Sequence, residues 1–146
     1  MEILRALGAL VEPPGRGTAA VREALGFPTG LDPADHTEVF TFQLPPYASI
    51  YLGPEGMLGG EARDRIAGFW RATGSRPPAE PDHLTVLLSA YAALAEGEVG
   101  ADGGRETWRR MRHAFFWEHL ASWLFPYLAR ATEVAPAPYR RWGSLL

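Results

Sequence analysis

Leu84-Thr85-Val86-Leu87-Leu88-Ser89-Ala90-Tyr91-Ala92-Ala93-Leu94 is the stretch on which the fold class turns. Leu84, Leu87, Leu88, Tyr91 and Leu94 recur at the spacing of one helical stripe, not at the alternation of a strand. Downstream, Trp108, Met111, Phe115, His119, Trp123 and Tyr127 form a second stripe, widened by Phe116, Leu120, Leu124 and Leu128. That helix begins near Arg105, and the loop Gly97–Gly104 separates it from the first. Pro126 interrupts it. The ring removes a backbone donor and clashes one turn back, so a kink or break is expected there. Pro136 and Pro138 end the segment, and Tyr139 to Leu146 suits a short closing helix.

Upstream, Gly74 to Pro81 reads as a linker, preceded by a helix over Glu61 to Thr73 with Ile66, Phe69 and Trp70 on one face. Tyr47 to Gly60 reads as an ordered loop of aromatic, Gly and Pro residues. Asp35 is a candidate cap for a helix to about Leu44, although Glu38-Val39-Phe40-Thr41-Phe42 also fits a strand pattern. Thr18 suits the start of a helix through Leu25, closed by Gly26 and Pro28. Ile3, Leu4, Leu7, Leu10 and Val11 mark a first helix stopped by Pro13-Pro14-Gly15. The expectation is an all-α, single-domain bundle over residues 1–146, with about five to seven helices and no reliable strand.

Composition narrows the function classes. The chain has 146 residues, enough for one core. Apolar residues make up 47%, and the formal charge is -3. The basic residues are scattered among carboxylates, without the clustered excess that a phosphate-binding surface needs, so nucleic acid is not an expected partner. There are no cysteines, which excludes disulfides, thiolate catalysis and Cys-ligated metal. Met1-Glu2-Ile3-Leu4-Arg5 lacks the pattern of an export signal, and no window approaches the ~18 apolar residues that span a bilayer. A cytoplasmic location without membrane insertion is expected.

Motifs of catalysis are missing. His36, His83, His113 and His119 have no H-x-x-x-H spacing, and the last two fall on different helical faces, so no metal site is expected. There is no G-x-S-x-G, no S-x-x-K and no phosphate-cradling loop. Gly59-Gly60 and Gly103-Gly104 read as helix starts, and Arg109-Arg110 and Arg140-Arg141 as exposed charges. No catalytic residue and no cofactor are expected, and a small hydrolase or nucleotide-binding enzyme is the least supported class.

One cluster stands apart: Glu80-Pro81-Asp82-His83-Leu84, at the mouth of the most apolar helix. In the structural reading Asp82 caps its own helix and His83 is a bystander in the first turn. In the functional reading Glu80, Asp82 and His83 present polar groups that grip a basic or backbone-rich peptide. That second reading requires the helix mouth to face solvent beside an apolar furrow.

In this order the motifs resemble those of the TorD/DmsD family of redox-enzyme maturation chaperones. Glu80-Pro81-Asp82-His83-Leu84 is similar to the family's E-P-x-D-H-type motif. Phe116-Trp117-Glu118-His119-Leu120-Ala121-Ser122-Trp123 with Pro126 is similar to its aromatic-H-L-x-x-W pattern. Pro45-Pro46-Tyr47-Ala48-Ser49-Ile50-Tyr51-Leu52 is similar to a P-P-Y-x-S-x-Y-L loop. The resemblance spans about Pro45 to Leu146, and residues 1–44 match only loosely. It implies a cytoplasmic chaperone, not an enzyme, that binds the twin-arginine leader peptide or apo form of a molybdenum-cofactor oxidoreductase and holds it for cofactor insertion before export. The peptide-binding residues it implies are Asp82 and His83, with Glu80 beside them. Trp70, Tyr47 and Tyr51 are further candidates as aromatic groove walls, against a plain role in the core. The oligomeric expectation is a monomer, or a dimer that exchanges helices about the Gly74–Pro81 linker. The competing reading is a helical adaptor or oligomerisation module with no leader-peptide role.

Overall fold

The computed structural model describes residues 1–28, 32–54 and 56–146. Among these residues nine α-helices and two π turns account for the regular structure, and the one β feature is an isolated bridge between Tyr47 and His83. The expected all-α class is found.

The centre of the bundle is α6 (Leu84–Gly100). It buries Leu84, Leu87, Leu88, Ala90, Ala92 and Leu94, residues that point in several directions round its axis. A helix apolar on so many sides must be surrounded. Its neighbours are α1 (Glu2–Ala9) and α7 (Arg105–Phe115). Gly8 of α1 comes so close to α6 that a Cβ there would lie 3.2 Å from Thr85 Cα. Carbonyl groups at and just beyond the end of α1 also accept from distant elements, beside the local backbone bonds that Leu7 O and Gly8 O already make. Thr85 Oγ1 donates to Gly8 O at 2.9 Å, and Trp142 Nε1 to Leu7 O at 2.8 Å. His36 Nε2 sits 2.8 Å from Val11 O.

α6 runs through Gly97 and ends at Gly100, later than the glycine pattern suggests. The missing side chain of Gly97 makes room for the Trp108 ring, which a Cβ would approach to 2.6 Å. That glycine serves packing between α6 and α7, not termination.

The remaining boundaries shift for local reasons. α2 (Arg16–Ala24) starts at Gly15, and Thr18 is its third residue, whose Oγ1 accepts from the Gly15 N–H at 2.9 Å. Thr18 therefore caps from inside the helix. For α3 (Pro33–Thr37) the cap is Asp32, not Asp35, with Oδ1 accepting from the Ala34 N–H at 2.8 Å. The ambiguous Glu38–Gln43 segment is neither strand nor ordinary helix but a π turn continuing α3. Within the expected loop from Tyr47 to Gly60 lies a one-turn helix, α4 (Ala48–Leu52). α5 (Gly60–Ala72) then follows Gly59 and Gly60, both at positive φ (93° and 68°).

Pro126 does not break the last long segment. α8 (Ser122–Val134) passes through it, and the irregularity lies upstream, where Phe116–Ala121 forms a second π turn between α7 and α8. α9 (Ala137–Gly143) folds back on α8 and buries Trp142 and Tyr139.

Candidate functional site

Two backbone hydrogen bonds pin the segment before α4 to the mouth of α6. Ala48 N–H donates to Asp82 O at 3.0 Å, and Leu84 N–H to Pro46 O at 2.8 Å. This short clasp turns the Asp82 side chain away from its own helix. His83 occupies the N-cap position of α6 and makes no side-chain cap bond. The Asp82 carboxylate instead reaches the first turn of α4, where Oδ2 accepts from Ser49 Oγ at 2.6 Å and Ser49 N–H at 3.3 Å. Ser49 Oγ in turn accepts from Gly59 N–H at 3.1 Å. A carboxylate among α4's unpaired N–H groups is the arrangement the helix dipole favours, here supplied by a residue 33 positions away. Arg63 Nε stands 3.9 Å from Asp82 Oδ1, so the buried charge has a cation nearby.

These contacts correct both sequence readings of the cluster. Asp82 caps α4, not α6, and it is 1% exposed, with His83 at 8%. The acidic, histidine-bearing helix mouth is closed, so neither side chain is presented to an incoming peptide. His83 packs edge-on against Tyr47, ring centroids 4.8 Å apart, and its Nδ1 is 3.6 Å from Glu12 Oε1. Burial lowers the His83 pKa, against the pull of Glu12, Glu80 and Asp82, and keeps the ring neutral at pH 7.

Of the three residues of that motif, Glu80 alone is exposed, and it accepts from Tyr47 OH at 3.1 Å. Burial together with the Glu80, Asp82 and Glu12 carboxylates raises the Tyr47 pKa to about 12, so its hydroxyl keeps its proton and donates. Tyr51 belongs to a different contact. Its ring stacks on Trp123 at 5.4 Å and 16°, its hydroxyl donates to Pro45 O at 3.0 Å, and burial raises its pKa to about 12. The Pro45–Leu52 motif therefore touches both others, through Tyr47 and Ser49 on one side and Tyr51 on the other. The three sequence motifs form one connected assembly. Ser49, Arg63 and Glu12 were not picked out by sequence reasoning. Ser49 sits inside a quoted motif, but its partner can be identified only after folding.

Trp70 lies apart from Tyr47 and Tyr51. It lines a groove of about 790 Å³ between α5, the linker and α6–α7, together with Phe69, Pro78, Val86, Trp108 and Met111. Arg76 is the single charged residue among those lining it. The indole N–H of Trp70 is buried without a partner. A second groove of about 580 Å³ runs along the other side of α5, sharing Phe69 and Ala72 with the first and lined also by Trp117, Glu118 and His119. Trp117 is 63% exposed. His119, in the π turn, packs against Phe69 and Phe115, and burial lowers its pKa. No helix among the described residues is long and apolar enough to cross a membrane.

The fold and its motif assembly define, among the described residues, an all-helical domain that carries an apolar groove walled by Trp70. The chain belongs to the nitrate reductase delta subunit family, whose model matches residues 33–129. It is similar to the chaperone protein TorD of Shewanella pealeana, 32% identical over 100 residues that cover 61% of this chain and 41% of that protein. TorD of Vibrio vulnificus strain YJ016 is 34% identical over 94 residues, covering 60% and 44% of the two chains. The matched region thus spans less than half the length of these curated relatives. No solved structure matches the chain. The resemblance drawn from the three motifs is confirmed at the level of the family.

Proposed function

We propose that this chain is a holding chaperone, without catalytic activity of its own, for an oxidoreductase that carries a molybdenum cofactor. It acts in the cytoplasm on the client's twin-arginine leader peptide or apo form before export. The groove walled by Trp70 carries this reading. It offers an extended apolar surface with one charged lining residue, which suits the apolar stretch of a leader laid as a helix or extended chain. The names of the similar relatives support the chaperone class.

Glu80 supplies the complement to the leader's arginines. It is exposed and lies two residues along the linker from Pro78, which lines the groove. Because it is solvated, its pairing with an arginine is worth at most about 1 kcal/mol, so the apolar wall carries most of the affinity. Asp82 and His83 serve by position. The first holds α4 and the second backs Tyr47, which orients Glu80.

Calorimetric titration with a leader peptide containing two arginines and the following apolar stretch tests the reading. Trp70→Ala is expected to weaken binding tenfold or more, and Glu80→Gln a few-fold, with circular dichroism unchanged. Unaltered affinity in both variants would place the client elsewhere on the surface.

A further inference from the structure

We propose that the groove between α5 and the π turn at Phe116–Ala121 is a second docking site, for an extended segment of a partner protein in which one acid stands between two bases. The inference does not rest on the Trp70 groove or on its leader peptide. The groove, about 580 Å³, is lined among others by Arg65, Phe69, Trp117, Glu118 and His119. Arg65 and Leu52 also line an adjoining space of about 240 Å³ that Met57 and Glu61 border. Two adjoining spaces along one helix suit a chain better than a compact ligand.

The polar groups of this groove are uncommitted. His119 is 7% exposed, yet neither ring nitrogen has a hydrogen-bond partner among the described residues; the side-chain bond that His119 receives, from Trp123 Nε1 at 2.9 Å, goes to its carbonyl. His36, equally buried, has Val11 O at 2.8 Å from Nε2. Phe69 and Phe115, with ring centroids 5.6 and 5.5 Å away, fix the His119 ring beside the groove. A neutral imidazole has one donor and one acceptor to satisfy, and a peptide backbone offers both partners. The π turn that carries His119 is an irregularity that recurs at functional sites. Charge selects the occupant. Glu61, Arg65 and Glu118 are exposed, and Arg65 borders both spaces while each acid borders one, so the order along the groove is acid, base, acid. Among the described residues none of the three forms an ion pair. Alternate side chains of an extended segment share a face about 7 Å apart, so base-x-acid-x-base presents the complement. Trp117 and Met57, 63% and 61% exposed, are left to cover the apolar residues between.

The test titrates the full chain, labelled with ¹⁵N, with the N-acetylated, C-amidated peptide Lys-Leu-Asp-Leu-Lys at low salt, following the His119 ring and Trp117 indole resonances. Saturable shifts at both residues are expected. Exchanging the peptide's Asp for Asn is expected to raise the half-saturating concentration several-fold, the size of effect an exposed pair produces. Arg65→Gln, a change at an exposed position that circular dichroism should find folded, is expected to weaken the Asp peptide several-fold and to leave the Asn peptide unchanged. Trp70→Ala is expected to leave both unchanged, which separates this site from the leader groove. Equal binding of the Asp and Asn peptides, the same loss of both in Arg65→Gln, or no shift at His119 overturns the proposal. So does displacement of the Asp peptide by an equimolar twin-arginine leader, which would make this groove part of the leader site.

Discussion

Replacing Asp82 with alanine removes the acceptor that joins the mouth of α6 to the first turn of α4. Two hydrogen bonds to a buried carboxylate are lost, from Ser49 Oγ at 2.6 Å and Ser49 N–H at 3.3 Å. Bonds to a charged group contribute about 1.5–3 kcal/mol, and a buried N–H left unpaired costs about 1–3 kcal/mol more. The Ser49 N–H bond is long at 3.3 Å, and so weak already, which keeps the second figure near its lower end. Arg63 is 40% exposed and 3.9 Å away, so solvent screens its pairing and it adds little. The expected loss is about 3–4 kcal/mol. For a chain of this size that corresponds to a fall in Tm of about 10 °C, read by circular dichroism. Ser49→Ala breaks the same contact from the other end, so the double variant should be less destabilised than the sum, with a coupling of about 1–2 kcal/mol. A Tm within about 2 °C of wild type, or strict additivity, would refute the buried clasp. Loss of client affinity at unchanged Tm would refute it too, since that pattern belongs to a carboxylate in contact with the client.

Acidification should destabilise the fold before any carboxylate is protonated. Burial lowers the pKa values of His36, His83 and His119, so the unfolded chain binds these protons more readily than the folded one. Stability is then full above the unfolded value, about 6.5, and declines as pH falls through it towards the depressed folded values. Tm at pH 7.5 and 5.5 measures this, and His119→Phe should flatten the profile; a Tm that rises on acidification would contradict the burial of the three rings. Gly97→Ala places a Cβ 2.6 Å from the Trp108 ring. The overpacking, about 1–3 kcal/mol, exceeds the gain of about 1 kcal/mol from a better helix former, so Tm should fall and the tryptophan emission change. A higher Tm would mean that Trp108 has slack.

The helices themselves were legible in the residue pattern because amphipathic spacing is a local property. The stripes on α6, α7 and α8 appear where the leucines and aromatics predicted them. What the pattern could not show was the use made of particular polar and small residues. Gly97 reads as a helix stop until Trp108 is seen against it. Pro126 reads as a break, yet the chain places its irregular turn at Phe116–Ala121. Asp32 rather than Asp35 caps α3, since two acids lie within three residues and only backbone geometry selects between them.

The candidate site divides along the same line. Three motifs in order were enough to assign the family, and the family model agrees. Their joining into one assembly through Tyr47, Ser49, Asp82, Tyr51 and Trp123 was decided by the tertiary structure alone. So was the inward turn of Asp82, which exchanges an expected solvent-facing grip for a clasp. Apolar periodicity acts between residues one turn apart and is written along the chain. The partner of a buried charge lies wherever packing brings an unpaired donor, here 33 residues away, and only the folded chain determines that.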